Sequence, residues 1–310
     1  MATTTSITTT YAGEHAGKWV SAALLSANTI EKGGLEVKQN VKYREVISKL
    51  STDDLVTDNA CDFLATSTIT KTEVFLTPKE LKINLEICKD KFRSDWEAIE
   101  MGYSAFDVLP KTFQDYLLAH VVAKAAQKNE QNIWNGDGST SGQFLGFVPA
   151  LTVDAALPAA NEVTGIAITA ANVVVELGKI VDAIPAELYG NEDLRIYVSQ
   201  NIYRAYIRAL GTLGHIDRFN NQELGDVMFD GVGIFVANGM PSNTAIAAEK
   251  SNLFFGTGLL NDHQEVKVLD MGDLDGSDNV RIIMKFTAAV QYAVVEDIVT
   301  YGIVNAANPA

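Results

Sequence analysis

Basic residues are scarce in this sequence, and their scarcity argues against a nucleic-acid-binding surface. The 310 residues contain 24 Lys and Arg against 39 Asp and Glu, which gives a net charge of −15. Phosphate binding depends on clustered Lys and Arg, and no run of basic residues occurs anywhere in the chain. We therefore expect no tight binding of nucleic acid, although an acidic protein can still enclose DNA.

Cysteine is almost absent, and the residue patterns of common catalytic and metal sites are missing. Cys61 and Cys88 are too few for a disulfide framework, so two reduced thiols are expected. The four histidines have no H-x-x-x-H or C-x-x-C partner, and there is no G-x-S-x-G elbow. The glycines of 136–142 follow a helical pattern instead of a strand, which disfavours a phosphate-binding loop. We expect no catalytic residue, no cofactor and no enzyme activity.

Long apolar runs are also missing, so neither a membrane span nor a signal peptide is indicated. No stretch approaches the ~18 consecutive apolar residues of a membrane candidate, and the Thr-rich N-terminus lacks a basic start. The composition is 47% hydrophobic and 20% charged, which suits a folded chain with a sizeable core. We expect a protein of a reducing cytoplasm.

The longest helical signal occupies residues 110–138. Pro110 suits a first helical position, and no further Pro or Gly follows until Asn135 and Gly136 end the pattern. The apolar positions recur every four residues: Phe113, Leu117, Val121 and Ala125. This spacing predicts an amphipathic rod that needs a partner layer, followed by a turn at Gly136, Gly138 and Gly142. On this prediction, Leu117→Asp would disrupt the packing of the rod.

The N-terminal third predicts a flexible arm and a projecting hairpin. Residues 1–34 begin with a Thr-rich tract that is too polar to pack alone. The segments 41–50 and 73–87 alternate apolar and polar residues, as the two sides of a hairpin would. Between them, 51–71 holds one aromatic residue, Phe63, and has little material for a core. We expect this tip to depend on a neighbouring molecule for order.

The remaining chain predicts an α+β protein with two intertwined domains. After a linker that runs to about residue 165, the patterns indicate a helix at 170–183, a strand at 194–198 and a helix at 200–210. Ser199 is the expected N-cap of the second helix, and Gly211 its stop. Strands are predicted at 232–236 and 252–255. A C-terminal hairpin is predicted from 265–269 and 280–290, with its strands lying along the long helix.

The turn of the C-terminal hairpin is the weak candidate for a cation site. It carries four carboxylates: Asp270, Asp273, Asp275 and Asp278. Hard cations bind several carboxylate oxygens, but the spacing is not that of an EF-hand. The alternatives are a solvated turn and a loop that contacts the same loop of neighbouring copies. Three lysines near the first hairpin, Lys71, Lys79 and Lys82, are weak candidates for isopeptide cross-links to another subunit.

Two stretches of this chain resemble the major capsid proteins of tailed bacteriophages, which have the Hong Kong 97-type coat fold. The first is NIWNGDGSTSGQFLGF at 132–147, similar to the end of that family's long spine helix and the turn after it. The second joins Gly239-Met-Pro241 to the SNLFFG segment at 251–256 and a final long hairpin. These features occur in the same order as in that family, and the resemblance extends over nearly the whole chain.

The resemblance implies a domain plan with named parts. These are an N-terminal arm at 1–40, an E-loop at 41–85, a P-domain with the spine helix at 86–150, an A-domain at 151–261, a P-domain hairpin and P-loop at 262–288, and an A-domain strand and C-terminus at 289–310. Many relatives carry a long N-terminal scaffolding segment, and the arm here is too short for that role. A separate scaffolding protein, or none, is therefore expected.

The resemblance implies a structural role in a virion. Many copies would form hexamers and pentamers of an icosahedral shell around double-stranded DNA, assembled in a bacterial cytoplasm. The implied partners are copies of the chain, scaffolding and portal proteins, and in some phages decoration proteins. An encapsulin-type nanocompartment shell resembles the same fold and is the first alternative. A soluble α/β enzyme or ligand-binding protein using 151–261 is the second.

Overall fold

The computed structural model describes residues 28–52, 56, 68–88, 111–213, 227–258, 267–272 and 276–307, with the backbone alone for 111–120. The α-helices in these ranges are α1 (Asn28–Glu31), α2 (Lys111–Asn135), α3 (Phe147–Val153), α4 (Val173–Asp182) and α5 (Gln200–Thr212). The strands are β1 (Glu36–Lys38), β2 (Glu45–Thr52), β3 (Ile69–Leu76), β4 (Lys79–Cys88), β5 (Glu162–Val163), β6 (Leu194–Val198), β7 (Val227–Phe229), β8 (Val232–Val236), β9 (Ala245–Glu249), β10 (Leu253–Thr257), β11 (Lys267–Asp270), β12 (Asn279–Tyr292) and β13 (Val299–Tyr301).

The predicted long helix is confirmed as α2, which spans 25 residues and ends one residue before Gly136. Its described apolar face is buried at Val121, Val122, Ala125, Ala126, Ile133 and Trp134. Adjacent buried pairs one turn apart make this face wider than a coiled-coil seam, as the sequence indicates. Phe113 and Leu117 lie in the part of α2 whose side chains are outside the described residues.

A five-stranded sheet is organised around β12. This 14-residue strand pairs antiparallel with β10 near its end and with β11 near its start, while β4 runs along its other edge. Strand β1 adds to β10 in parallel. The predicted C-terminal hairpin is therefore confirmed as β11 and β12, although 273–275 of its turn lie outside the described residues.

The predicted N-terminal hairpin is confirmed in part and its second side is corrected. Strands β2 and β3 pair antiparallel from Glu45↔Leu76 to Thr52↔Ile69 and form a separate two-stranded sheet. The expected continuous strand at 73–87 is instead two strands, interrupted at Thr77 and Pro78. Proline has no N–H to donate to a ladder, which suits the point where the chain passes from one sheet to the other.

The second large sheet has six strands, in the order β5-β13-β9-β6-β8-β7. Strand β6 is parallel to β8 and antiparallel to β9. The predicted strands at 194–198 and 232–236 are confirmed, and helices α4 and α5 pack against this sheet through Leu177, Ile180, Ile202 and Ala205. Strand β13 brings the C-terminal chain back into it.

Two expectations about this region are wrong. The segment after Gly146 is not a plain linker, because it contains α3, a short 3₁₀ helix at Ala159–Asn161 and β5, with Phe147 and Leu151 fully buried. Helix α5 does not stop at Gly211 but continues to Thr212. Gly211 adopts no left-handed backbone conformation, so it does not act as a helix-ending glycine here. Ser199 holds the N-cap position, with no side-chain capping bond.

One large core joins the end of α2 to both sheets. Ile133 and Trp134 of α2 share this core with Leu81 of β4, Phe255 of β10 and Ala288 of β12. Further members come from the six-stranded sheet: Tyr197, Phe235, Ile246 and Ala248. The final turns of the helix are therefore the point at which the five-stranded and six-stranded sheets are held together.

Candidate assembly interface

The β2–β3 hairpin carries four exposed large apolar side chains, more than any other hairpin or helix in the described residues. Because side chains alternate along a strand, the paired residues divide into two faces. One face carries Val46, Leu50, Ile69 and Phe75, whose exposed fractions range from 41% to 67%. We call these four side chains the outer face. A row of exposed aliphatic and aromatic side chains on a two-stranded ribbon is typical of a surface that another molecule covers.

The opposite face anchors the base of the hairpin to the body of the protein. Leu76 is fully buried among Val41, Phe254 and Ala289, and Ile47 packs against the same cluster. Further along, Lys49 Nζ forms an ion pair of 2.6 Å with Glu296. Desolvation is the largest single influence on Glu296 and opposes its ionisation, but the hydrogen bond and charge of Lys49 and a backbone hydrogen bond together outweigh it and lower the pKa of that carboxyl. Beyond Lys49 both faces are exposed, so the hairpin projects from its base.

The turn after α2 is built by short-range hydrogen bonds. The Asp137 carboxylate accepts from the Thr140 hydroxyl at 2.6 Å, from the Thr140 N–H at 2.8 Å and from the Ser139 N–H at 3.0 Å. The bond from the Thr140 side chain is the largest cause of a lowered pKa for Asp137. Gly138 and Gly142 have φ of 73° and 79°, left-handed conformations that glycine adopts without strain.

Lys79 ties this turn to the five-stranded sheet. Its Nζ donates to the carbonyl oxygens of Gly138 at 2.8 Å and Gln143 at 2.7 Å. Since Lys79 begins β4 just after the hairpin base, the turn and the hairpin are fixed relative to one another. Of the lysines considered for cross-linking, Lys79 is therefore engaged within the chain, Lys71 lies 3.6 Å from Glu73, and Lys82 is exposed.

A buried carboxylate joins the segment that follows residue 27 to α2. Glu130 is 5% exposed and accepts from the Thr29 N–H at 3.0 Å and from the Thr29 hydroxyl. Trp134 Nε1 donates to the same hydroxyl at 2.8 Å, and the Gly239 backbone also bonds the carboxylate. Burial is the largest influence on Glu130 and raises its pKa above the ordinary value of 4.5, against the lowering effect of these bonds.

The raised pKa of Glu130 predicts a pH-dependent stability difference. The fold favours the protonated acid, so the stabilising contribution is complete below the unfolded-state pKa and is lost as pH rises through the folded-state pKa. Glu130→Gln stays neutral at every pH. We expect the melting temperature of this variant, relative to wild type, to rise from about pH 4 to about pH 8. The exposed Glu192→Gln serves as the matched control, and an equal pH trend in both variants would contradict the role of burial.

The weak cation candidates do not form a cluster in the described residues. Asp273 and Asp275 lie outside them, Asp278 is exposed, and Asp270 Oδ1 accepts a bond of 3.0 Å from the Gly272 N–H. No group of three His, Cys, Asp or Glu suited to a metal ion occurs in the part of the chain that the structure describes. Within the same ranges, no helix is long and apolar enough to span a membrane.

Two features of the structure are missing from the sequence-based prediction. The outer face was not identified, although Val46 and Leu50 are four residues apart and therefore lie on the same face of a strand. Glu130 was also not singled out, yet its position four residues after Ala126 and four before Trp134 places an acid in the apolar sector of α2. A charged residue on a buried helix face indicates a specific polar partner, here Thr29.

Comparison with solved structures identifies the fold. The capsid of cyanophage A-1(L) is 13% identical, with 90% of this chain and 93% of that chain covered and a TM-score of 0.56. The capsid of the Myoviridae phage XM1 is 13% identical over 88% and 91% of the two chains, with a TM-score of 0.54. A virus-like particle from Pyrococcus furiosus is 11% identical over 93% and 98%, with a TM-score of 0.53.

No protein-family model matches the sequence, and no curated protein matches it either. The structural likeness extends over about nine-tenths of this chain and of the phage capsid proteins. The predicted coat fold is therefore confirmed, including its mixture of a long helix, extended hairpins and a compact α/β unit.

Proposed function

We propose that this chain is the major capsid protein of a tailed bacteriophage. Many copies form the hexamers and pentamers of an icosahedral shell that encloses double-stranded DNA, in a virion assembled in the bacterial cytoplasm. The coat fold supports this proposal, and the outer face of the β2–β3 hairpin is the observation that carries it. A projecting ribbon with exposed Leu50 and Ile69 has no function in an isolated chain and becomes useful when it lies on a second copy.

The geometry of the hairpin favours ring formation. The anchored face is covered by the body of its own copy, so the outer face is the one free to lie on a neighbour, and in a ring it would meet a different surface of that neighbour. Contacts between two different surfaces are heterologous, and they close into rings when the rotation between neighbours permits it. Pentamers and hexamers are such rings. Removing Leu50 and Ile69 from water would contribute roughly 1.5–3 kcal/mol for each fully buried side chain.

The proposed domain plan follows the expected one, with the sheets as a guide. The hairpin lies in the E-loop of 41–85, α2 in the P-domain of 86–150, and the six-stranded sheet draws most of its strands from the A-domain of 151–261. Strand β10, at Leu253–Thr257, pairs with β12 in the five-stranded sheet. We therefore place the end of the first A-domain stretch near residue 252 instead of 261.

The charge of the chain suits a container for DNA. At a net charge of −15, the shell has no strong average attraction for packed phosphate, so the genome stays mobile inside it. Its role is structural and not enzymatic. Scaffolding and portal proteins, and in some phages decoration proteins, are the partners that such a shell uses, and the genes beside this one would identify them.

A compartment shell around protein cargo is the second candidate, favoured by the match to the virus-like particle from Pyrococcus furiosus. The contents of particles purified from the native source separate the two. A phage shell holds nuclease-protected DNA, whereas a compartment shell holds a folded protein. Particles that contain an enzyme and no DNA would overturn the phage proposal.

Leu50→Asp tests the role of the outer face. Leu50 is 67% exposed, so we expect the stability of the monomer to change by no more than about 0.5 kcal/mol. In an assembled shell the new carboxylate would be buried without a partner, so the yield of shells should fall at least ~10-fold. Sedimentation of purified protein measures this yield.

Thr70→Asp is the matched control, because Thr70 is exposed on the same hairpin but its side chain belongs to the opposite face. It introduces the same charge and should assemble far better than Leu50→Asp. Equal shell yields from Leu50→Asp and wild type would refute the assignment of the outer face to an intersubunit contact.

A further inference from the structure

A polar cavity of about 620 Å³ lies beside α5, where strands β6 and β8 end, and its volume suits a small molecule. The Ala237 N–H, just after β8, donates to the Val198 carbonyl at the end of β6 at 2.9 Å, so the ends of these two parallel strands lie side by side. Open α/β sheets bind ligands in the crevice outside the carboxyl ends of such strands. The lining of the cavity comes from three segments of the chain, at 168–170, 199–208 and 238–242.

One asparagine, directly after the third segment, holds the three segments together. Asn243 Oδ1 accepts a hydrogen bond of 2.7 Å from Asn201 Nδ2 and one of 3.1 Å from the Ile168 N–H. The Asn243 N–H in turn donates to Asn201 Oδ1 at 3.1 Å. Because these bonds cross between the segments, the shape of the cavity is set before a ligand binds, which lowers the entropic cost of binding.

Two arginines supply the charge of this cavity. Arg204 and Arg208 both line it, and both are exposed. We call them the cavity arginines. They are four residues apart on α5, and like charges at this spacing on one face of a helix repel one another. The described lining contains no Asp or Glu to offset them, so a bound anion would relieve the repulsion.

The other arginines whose side chains the structure describes have partners of their own. Arg281 forms an ion pair with Glu86, Arg195 donates to a backbone carbonyl oxygen, and Arg44 lies over an aromatic ring. Within the same described ranges, the cavity arginines form no ion pair and donate no side-chain hydrogen bond. In a chain with a net charge of −15, two arginines without a carboxylate partner indicate that their partner is a separate molecule.

Phosphate is the anion that best fits this pair. Each guanidinium presents a planar fork of N–H donors, and the two oxygens of one carboxylate fill only one such fork. A phosphate monoester carries three strong acceptor oxygens that point in different directions, so it can bind both forks at once. Ile168 and Met240 add apolar surface for an organic group attached to the phosphate. Hydroxyl and amide groups in the lining can bond further ligand oxygens: Thr169, Gln200, Asn238 and Ser242.

We propose that this cavity binds a small phosphorylated molecule, whose phosphate group is held between Arg204 and Arg208. The inference does not depend on the proposed shell function, because every residue that lines the cavity belongs to one chain. Since the unfolded chain has no such site, a bound ligand should stabilise the folded chain and raise its melting temperature as the ligand concentration rises.

Titration calorimetry of the full-length chain with inorganic phosphate and with 5′-AMP tests the site, and thermal unfolding with the same probes supports it. Tighter binding of 5′-AMP would show that the organic group is also recognised, and equal binding that the phosphate alone is. Arg204→Gln with Arg208→Gln changes exposed positions, so the fold should be little affected and the affinity should fall at least ~10-fold. Arg204→Lys with Arg208→Lys keeps the charges without the planar forks and should lose less affinity.

The matched control is Lys42→Gln with Lys128→Gln, which removes the same charge at two exposed lysines outside the cavity lining. It should bind both probes as wild type does. The proposal is refuted if neither probe binds the wild-type chain, or if Arg204→Gln with Arg208→Gln binds as tightly as wild type. Succinate binding as tightly as phosphate would overturn the choice of a phosphate group. A DNA duplex that binds through the cavity arginines, while neither small probe binds, would overturn the choice of a small molecule.

Discussion

Trp134→Ala is expected to remove a large part of the free energy of unfolding. The side chain is fully buried, with ring centroids 5.5 Å from Phe147 and 5.3 Å from Tyr197, and its Nε1 donates to Thr29. Truncating a buried tryptophan costs about 3–5 kcal/mol, against a total stability of about 5–15 kcal/mol for a typical domain. Circular dichroism during urea unfolding measures the loss.

Trp134→Phe separates packing from hydrogen bonding at this position. An aromatic ring, smaller than the indole, is retained, but the Thr29 hydroxyl no longer accepts a hydrogen bond from Nε1, so a smaller cost of at least about 1 kcal/mol is expected. A midpoint for Trp134→Ala that lies within error of wild type would contradict the view that the end of α2 joins the two sheets.

Gly136→Ala is expected to be almost as damaging, by a steric route. A Cβ at this position would collide with the carbonyl oxygens of Phe144 and Asn132, which belong to the backbone and cannot rotate away. The backbone hydrogen bond from Gly146 to the Gly136 carbonyl, 2.7 Å long, would be displaced with them. We expect a loss of about 3 kcal/mol or more in the free energy of unfolding, measured by the same urea titration.

Gly178→Ala is the matched control for this steric argument. Gly178 lies inside α4, and a Cβ added there meets no atom within 4 Å. Alanine is the better helix former by about 1 kcal/mol, so this variant should be slightly stabilised. Comparable destabilisation by both substitutions would show that the turn after α2 has no special requirement for glycine.

Local patterns in the sequence were sufficient for the elements whose signals are strong. The bounds of α2 follow from Pro110, from its four-residue apolar spacing and from Gly136, all of which act within a few residues. Strands β6 and β8 are short buried runs, and their limits were predicted correctly. The fold class followed from the order of these elements together with the resemblance to capsid proteins.

The partners of each element could not be predicted, because pairing depends on residues far apart in the chain. Strand β4 continues the alternation of β3, and only the sheet shows that it leaves the hairpin to pair with β12. The bond between Glu130 and Thr29 spans 101 residues. The cavity lined by Arg204 and Arg208 likewise joins segments that are far apart in the chain.

Cryo-electron microscopy of the purified full-length chain, with its scaffolding protein if the neighbouring genes supply one, tests the central claim most directly. The account predicts closed shells of pentamers and hexamers in which the outer face of each β2–β3 hairpin is covered by an adjacent copy. A folded monomer that forms no shell under these conditions would contradict it. So would a shell in which Val46, Leu50, Ile69 and Phe75 remain exposed to solvent.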